Sequence, residues 1–181
     1  MKHKILILVS LIVVLVGCSL TDSGIAPKRV VEEMLGNYQS LNSEVLNQLD
    51  KVIAGENLTI AQKDDYEELM RKQYQNLTYS IKEEVIDGDT AVVTVEIEVF
   101  DYAKAIDDAE IYAAENEDKF LDKEGAASES LYQDYKIEQL KTVTDKIKYT
   151  LDLGLTKEDN KWKLDDLSDM ERQKIHGLYN S

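Results

Sequence analysis

The sequence predicts an α+β domain, in which amphipathic helices pack against an antiparallel sheet. Apolar residues recur at helical spacing over 27–50 and again after Thr59, and they alternate with polar residues over 77–99. The alternation returns over 143–164, beyond an acid-rich segment that lacks it. Residues 27–181 therefore form one predicted domain, which is long enough to enclose a sizeable core.

Residues 1–17 are predicted to be a lipoprotein signal peptide. Their apolar run is only about 12 residues long, whereas a membrane-spanning helix requires about 20. The run ends in Leu15-Val16-Gly17-Cys18, which has the pattern of a bacterial lipobox. Cys18 is therefore expected to begin the mature chain and to carry a diacylglyceryl thioether, whose two acyl chains suffice for stable anchoring. Residues 18–26 are the predicted lipidated cysteine and tether.

The chemistry available to the mature chain is limited. Cys18 is the only cysteine, so disulfides, zinc thiolates and cysteine nucleophiles are excluded once it is lipidated. His176 is the only histidine beyond the signal peptide, and we expect it on the surface. The carboxylates around 165–169 lack the spacing of a calcium loop. No metal site and no cofactor are predicted.

The net charge of −15 excludes one class of partner. A strongly acidic surface repels nucleic acid, which binds stripes of Lys and Arg, so no nucleic-acid partner is expected. Such a surface also repels anionic lipid headgroups, which leaves the acyl chains to hold the protein at the membrane. The charge is compatible with cationic or basic ligands, and equally with solubility at a crowded cell surface.

Helical signals fill the first third of the domain. One helix is predicted over 27–50 and opens with Pro27; its apolar stripe comprises Val30, Met34, Tyr38, Leu41, Val45 and Leu49. Thr59 and Gln62 match a capping box, so a second helix is predicted to residue 74. The apolar face of this helix is weaker and comprises Ile60, Tyr66, Leu69, Met70 and Gln73.

A β-hairpin is predicted next, because alternating runs flank the turn Asp87-Gly88-Asp89. The acid-rich segment 102–141 is predicted to be a helical insertion of two surface helices, 102–121 and 128–141. Their thin apolar stripes comprise Ile106, Ala109, Ala113 and Phe120, then Leu131 and Tyr135.

A long strand over 143–155, a turn over 157–160 and a last strand with Trp162 follow the insertion. Ser168 and Glu171 then open a capped terminal helix. If the long strand pairs with the second strand of the hairpin, the outer face of the sheet carries opposite charges, namely Glu96 and Glu98 beside Lys146 and Lys148.

This order of elements behind a lipobox resembles the NTF2-like (cone-fold) lipoproteins of Gram-positive bacteria, many of which have no assigned function. The similar stretches are Pro27 at a helix start, Gly88-Asp89-Thr90-Ala91-Val92-Val93-Thr94-Val95 and Asn160-Lys161-Trp162-Lys163-Leu164. The resemblance covers about 27–179 and implies a curved antiparallel sheet wrapped on a long N-terminal helix, which forms a cone with an opening. The helices of 102–141 depart from a minimal cone.

Two groups of residues are candidates for a site. Glu83, Asp101 and Asp145 fall on the apolar phase of their strands, and antiparallel pairing brings Asp101 and Asp145 together, with Tyr149 further in. Paired carboxylates near a tyrosine support proton transfer, unless they sit at strand ends and reach solvent. Three inward aromatic residues line a ligand pocket or fill the core: Tyr79, Tyr149 and Trp162.

Two functions are compatible with this inventory. The first is a membrane-anchored lipoprotein on the extracytoplasmic face of the cell membrane, which binds an unidentified protein or small ligand without catalysis. The second is a small cone-pocket enzyme of the lyase or isomerase type that uses Asp101 or Asp145. We expect the first, because the chain has an anchor, few catalytic residue types and no nucleophile motif. The resemblance does not decide between the two, because NTF2-like folds include both enzymes and plain binding modules.

Overall fold

The computed structural model describes residues 24–180, which form six α-helices and an open four-stranded antiparallel sheet. The signal peptide, Cys18 and most of the tether lie outside the described residues. The helices are α1 (Pro27–Gln39), α2 (Ser43–Gly55), α3 (Ile60–Asn76), α4 (Tyr102–Glu115), α5 (Glu129–Thr142) and α6 (Asp169–His176). The strands are β1 (Thr78–Asp87), β2 (Thr90–Phe100), β3 (Lys146–Glu158) and β4 (Lys161–Leu164).

The sheet is a meander in the order β1-β2-β3-β4, and the α+β prediction is confirmed. Both predicted turns are present. Gly88 has a φ of +60°, which glycine adopts without steric cost, and Asp159 and Asn160 have φ values of +48° and +61°. The two turns lie at one end of the sheet, which we call the hairpin end. There the amide of Lys157 donates a hydrogen bond to the carbonyl oxygen of Asp89 at 2.8 Å.

The core lies between the inner face of the sheet and the helices. Alternate side chains of β2 and β3 are buried as the period-two pattern predicts: Val93, Val95, Ile97, Val99, Tyr149, Leu151, Leu153 and Leu155. Helix α1 runs along this face. Its Lys28 amide donates to Glu84 Oε1 at 2.9 Å near the hairpin end, and its Gln39 side chain donates to the Leu77 carbonyl at 2.8 Å near the other end.

The outer face carries the predicted charges. Glu96 Oε1 lies 3.3 Å from both Lys148 Nζ and Lys82 Nζ, and Glu98 pairs with Lys148 in the strand register. The hydrogen bonds from Lys148 and then Lys82 lower the pKa of Glu96. The predicted register is therefore confirmed, because a slip of one residue would move Glu96 to the opposite face.

The single helix predicted over 27–50 is wrong, because the chain breaks between α1 and α2. Leu41 has a φ of +53°, and the Asn42 side chain accepts a hydrogen bond from the Glu44 amide at 2.8 Å, which starts a new helix. The buried face of α1 also differs from the predicted stripe. Val31 and Leu35 are fully buried in α1, whereas the predicted Val30 and Met34 are only partly buried.

Glu83 was predicted to face inward, and the structure contradicts this. The strand register shifts between Ile81 and Glu83, so β1 contains a bulge that reverses the alternation. As a result Glu83 is exposed, Val85 is 52% exposed, and Glu84 is the residue that reaches Lys28 of α1. A bulge moves the residues that follow it to the opposite face of the sheet. The alternation of residues in the sequence does not reveal where such a bulge lies.

Smaller differences concern the ends and stripes of elements. Helix α4 ends at Glu115, before a short 3₁₀ helix (Glu117–Phe120), and Val143 caps α5 instead of starting the long strand. Ile60 and Leu131 were predicted on apolar stripes, yet both are exposed. In α5 the buried residues are Ile137 and Leu140.

A buried glutamine joins three elements where α3, β2 and α6 meet. The Gln73 side chain is fully buried; its Oε1 accepts the Phe100 amide at 2.9 Å, and its Nε2 donates to the carbonyls of Phe100 at 3.1 Å and His176 at 2.9 Å. Gly177 follows with a φ of +70°, and a Cβ on it would collide with Gln73 Nε2 and the Phe100 carbonyl. We call these hydrogen bonds of Gln73 to Phe100 and His176 the Gln73 clamp. A methyl group at residue 177 would therefore break the clamp.

We expect Gln73→Leu to lower the free energy of unfolding by about 2–5 kcal/mol, because it leaves buried backbone groups of Phe100 and His176 without partners. Gln75→Leu is the matched control on the exposed side of the same helix and should change stability by less than about 0.5 kcal/mol. Urea unfolding of the chain without residues 1–18 measures both. Equal unfolding midpoints for the two variants would contradict the clamp.

Gly177→Ala should be far more destabilising than Gly125→Ala, although both glycines have a positive φ. A Cβ on Gly125 meets nothing within 4 Å, so that variant reports backbone strain alone, at about 1–2 kcal/mol. Gly177→Ala adds the collision with Gln73 and Phe100, for a total of about 2–5 kcal/mol. Thermal melts of the two variants compare the costs; similar losses would show that the space around Gly177 is not tight.

Candidate functional site

Asp101 and Asp145 meet at the end of the sheet opposite the hairpins, as the sequence predicts. The Asp101 amide donates to the Asp145 carbonyl at 3.0 Å. Beside them lies a cleft of about 240 Å³ at the base of α4 and α5. The side chains around its mouth include Asp101, Lys104, Asp108, Tyr135, Gln139 and Asp145.

The carboxylates of this cleft already have partners or solvent. Asp101 caps α4 by accepting the Lys104 amide at 3.1 Å, and Asp145 is exposed. The Lys104 ammonium lies 2.7 Å from Asp108, whose hydrogen bond and charge, with smaller contributions from Asp101 and Asp145, raise the pKa of Lys104. The cleft is thus a polar, charge-paired surface in which three aspartates surround one lysine.

Tyr149 lies next to this cleft but belongs to the core. It is 8% exposed, and its hydroxyl donates to the Tyr179 carbonyl at 2.8 Å. Burial, followed by the negative charge of Asp101, raises the pKa of Tyr149. Asp101 therefore lies close to both Asp145 and Tyr149, whereas Tyr149 is four residues along the chain from Asp145, and their part in proton transfer stays a prediction.

The three aromatic residues that were candidates to line a ligand pocket do not lie in one place. Tyr79 and Tyr149 flank Ile97 in adjacent strands on the inner face. Trp162 pairs with Lys157, eight residues along β3 from Tyr149, which separates the two by about 26 Å at the usual rise per residue. Helix α1 packs against β1, β2 and β4 on this face, so Tyr79 and Trp162 contact the core.

The insertion contains an aromatic cluster that is separate from the main core. The Tyr112 and Tyr135 rings stack at 4.9 Å, and Phe120 meets Tyr135 edge-on at 5.5 Å and Tyr132 at 6.1 Å. Around the cluster the insertion is strongly acidic, with twelve carboxylates against five lysines over 101–142. Three large apolar side chains of the insertion are exposed, namely Ile111, Leu121 and Leu131.

Two further residues differ from their sequence interpretation. His176 is partly buried, not a surface residue; its ring lies 5.6 Å from that of Tyr74. Gln62, known from sequence only as a capping residue, is 3% exposed and donates to Asp134 Oδ1 at 2.6 Å, which ties α3 to the insertion. Its position in a capping box was the available signal, but the contact with α5 lies 72 residues away in sequence.

Two absences concern residues 24–180 only. Within that range no group of three or more His, Cys, Asp or Glu side chains is arranged to hold a metal ion. Within the same range no helix is both long enough and apolar enough to span a bilayer.

Tyr149→Ala should lower the free energy of unfolding by about 3–5 kcal/mol, because it removes a buried ring from the core. Tyr149→Phe keeps the ring and loses only the hydrogen bond to Tyr179, at about 1 kcal/mol. Chemical unfolding separates these values. A pocket residue would behave differently: Tyr149→Ala would leave stability nearly intact and abolish binding of a small ligand found by screening.

Because of His176, the free energy of unfolding should decrease as the pH is lowered from about 6.5 to about 4. Burial, and then the charge of Arg172, lowers its pKa from 6.5 to about 4, so the unfolded chain binds a proton that the folded chain rejects in this range. The contribution is fully present above pH about 6.5 and is lost toward pH 4, amounting to about 3 kcal/mol. His176→Gln should remove this slope in urea unfolding across the range, and identical slopes for both proteins would contradict the assignment.

Comparison with known proteins gives one distant likeness. No known protein family and no curated protein matches this chain. Among solved structures, the chain is similar to a protein of Bacillus subtilis subsp. subtilis str. 168 described as a "putative lipoprotein (ycdA)", with a TM-score of 0.40 and 18% sequence identity. The match covers 82% of this chain and 46% of that one, so this chain spans less than half the length of the structure it resembles.

Proposed function

We propose that this protein is a lipid-anchored lipoprotein of the extracytoplasmic membrane face and that it acts there as a non-catalytic binding module. The observation that carries the binding role is the insertion, whose exposed apolar side chains lie within a strongly acidic surface. Apolar contacts supply affinity, and the excess of carboxylates selects a basic partner. The bound species is then a protein with a basic, partly apolar surface.

The lipobox supports the anchor. Leu15-Val16-Gly17-Cys18 follows a short apolar run, and Cys18 lies six positions before Gly24, where the described fold begins. Six extended residues reach at most about 21 Å. The domain is therefore held close to the bilayer whichever way it turns.

An NTF2-like cone is the fold that we propose for this module. The order of helices, hairpin, insertion, long strand and terminal helix supports it, as does the placement of α1 along the inner face of the sheet. The insertion comprises α4 and α5 and extends from the end of the sheet opposite the hairpin end. A basic partner can bind it there without contacting the core.

The enzyme remains the second candidate, because Asp101 and Asp145 line one cleft and the charge of Asp101 acts on Tyr149. A screen of small carbonyl and hydroxy-acid compounds by protein-observed NMR tests it. Binding at the cleft that Asp145→Asn abolishes, together with turnover of the bound compound, would favour the enzyme over the module.

Mass spectrometry of the membrane fraction should find a mature chain that begins at a diacylglyceryl-modified Cys18. The Cys18→Ala variant should remain unprocessed and unmodified, since the thioether needs the sulfur atom. A mature chain that begins elsewhere, or an unmodified Cys18 thiol, would contradict the anchor.

A photo-crosslinking amino acid at Leu131 should form an adduct with a basic protein in intact cells, and salt should weaken the association. The same group at Ser80 is the control, because Ser80 is exposed on β1 and lies outside the insertion. Glu110→Lys with Glu117→Lys should abolish the Leu131 adduct. Equal adducts from both positions, or an adduct indifferent to the charge reversal, would contradict the proposed surface.

A further inference from the structure

The described chain begins at the hairpin end of the domain. Gly24 packs against the β3–β4 turn, where a Cβ on it would lie 3.2 Å from the Asn160 carbonyl oxygen. The chain then crosses the inner face of the sheet to β1, where the Lys28 amide donates to Glu84. A contact with the β3–β4 turn and a hydrogen bond to β1 therefore hold residues 24–28 close to the hairpin end.

From this geometry we infer that the hairpin end, formed by 24–28, 85–91 and 156–163, is a membrane-docking surface that rests on the lipid interface. The inference depends on the proposed anchor at Cys18, because the lipid must enter the bilayer within about 21 Å of Gly24. A lipid surface is the occupant because the tether ends at this surface and at no other part of the fold.

Side chains at the hairpin end suit such an interface. Ile25 is 64% exposed and Ile86 is 53% exposed, and both lack a place in the core. Trp162 is only partly buried, and the Lys157 ammonium lies 5.6 Å from the centre of its ring. Exposed isoleucines enter the acyl boundary, whereas tryptophan and lysine occupy the headgroup level.

Charge separates the two ends of the sheet. The hairpin end contains four lysines and four carboxylates, so it carries no net charge. The insertion, which leaves the sheet at the opposite end, has seven more carboxylates than lysines. An anionic leaflet therefore repels the insertion and tolerates the hairpin end. Lys157 and Lys146 are eleven positions apart, so the base of the insertion lies about 36 Å from the hairpin end along β3.

Trp162 is the only tryptophan of the chain, which makes its fluorescence a native probe of this surface. The lipidated protein, extracted from membranes, is reconstituted into phosphatidylcholine–phosphatidylglycerol vesicles in which part of the phosphatidylcholine carries a headgroup nitroxide. The matched control is Trp162→Phe with Thr78→Trp, because Thr78 is exposed and lies in the strand row of Lys148, about 30 Å along the sheet.

We expect the nitroxide to quench Trp162 at least about threefold more than the tryptophan at residue 78, given their separation of about 30 Å along the sheet. Ile25→Asp with Ile86→Asp should reduce the quenching of Trp162 while the melting temperature stays unchanged, since both side chains are exposed. Equal quenching at the two positions, stronger quenching at residue 78, or no effect of the aspartates would overturn the orientation.

The anchor is tested separately in the same preparation. Intact mass and co-flotation with vesicles report whether Cys18 carries the lipid. A chain without the lipid that fails to float refutes the anchor, and the docking surface with it. A lipidated chain that floats but shows equal quenching refutes the docking surface alone.

Discussion

The arrangement of this domain depends on the hydrogen bonds of the buried Gln73 side chain. At the end of the sheet opposite the hairpins β2 stops and α6 ends, so backbone groups of both elements lose their regular partners in one buried place. Gln73 binds the Phe100 amide, the Phe100 carbonyl and the His176 carbonyl at once. Because a buried polar group without a partner is costly, only a side chain that both donates and accepts keeps α3, the sheet and the C-terminal helix together. Gly177 completes the clamp by leaving room where any Cβ would collide.

This junction also determines where the acidic insertion lies. The Tyr102 hydroxyl donates to the Leu69 carbonyl at 3.3 Å and the Ala103 amide donates to the Gly177 carbonyl at 2.8 Å, so the first turn of α4 is attached to α3 and to the residue after α6. Gln62 adds a second attachment through Asp134 of α5. The helical pair is therefore fixed to the domain at its base, while its aromatic cluster and exposed apolar side chains lie outside the main core. This attached base and exposed acidic surface support the binding module that we propose.

The candidate residues show what alternation predicts and what it leaves open. Period two correctly placed Tyr79 and Tyr149 on the inner face, and antiparallel pairing correctly brought Asp101 to Asp145. The alternation of apolar and polar residues gives the face of the sheet on which a side chain lies, but not its position along the strand. Trp162 was therefore predicted on the same face as Tyr149, yet it lies far from Tyr149 along the sheet. Glu83 was misplaced for a related reason, because the bulge at residues 81–83 reverses the phase within one strand.

The sequence by itself determined the elements whose signals are local: the hairpin turn at Gly88, the capping boxes of α3 and α6, the alternating core of β2 and β3, and the lipobox pattern at Cys18, which lies outside the described residues. Tertiary structure decided features that need distant partners. The chain breaks at Leu41, His176 is partly buried against Tyr74, and Gln73 becomes a clamp instead of a weak member of an apolar stripe. The physical reason is that the free energy of a buried polar group depends on the partner it meets, and those partners lie 27 and 103 residues away from Gln73 along the chain.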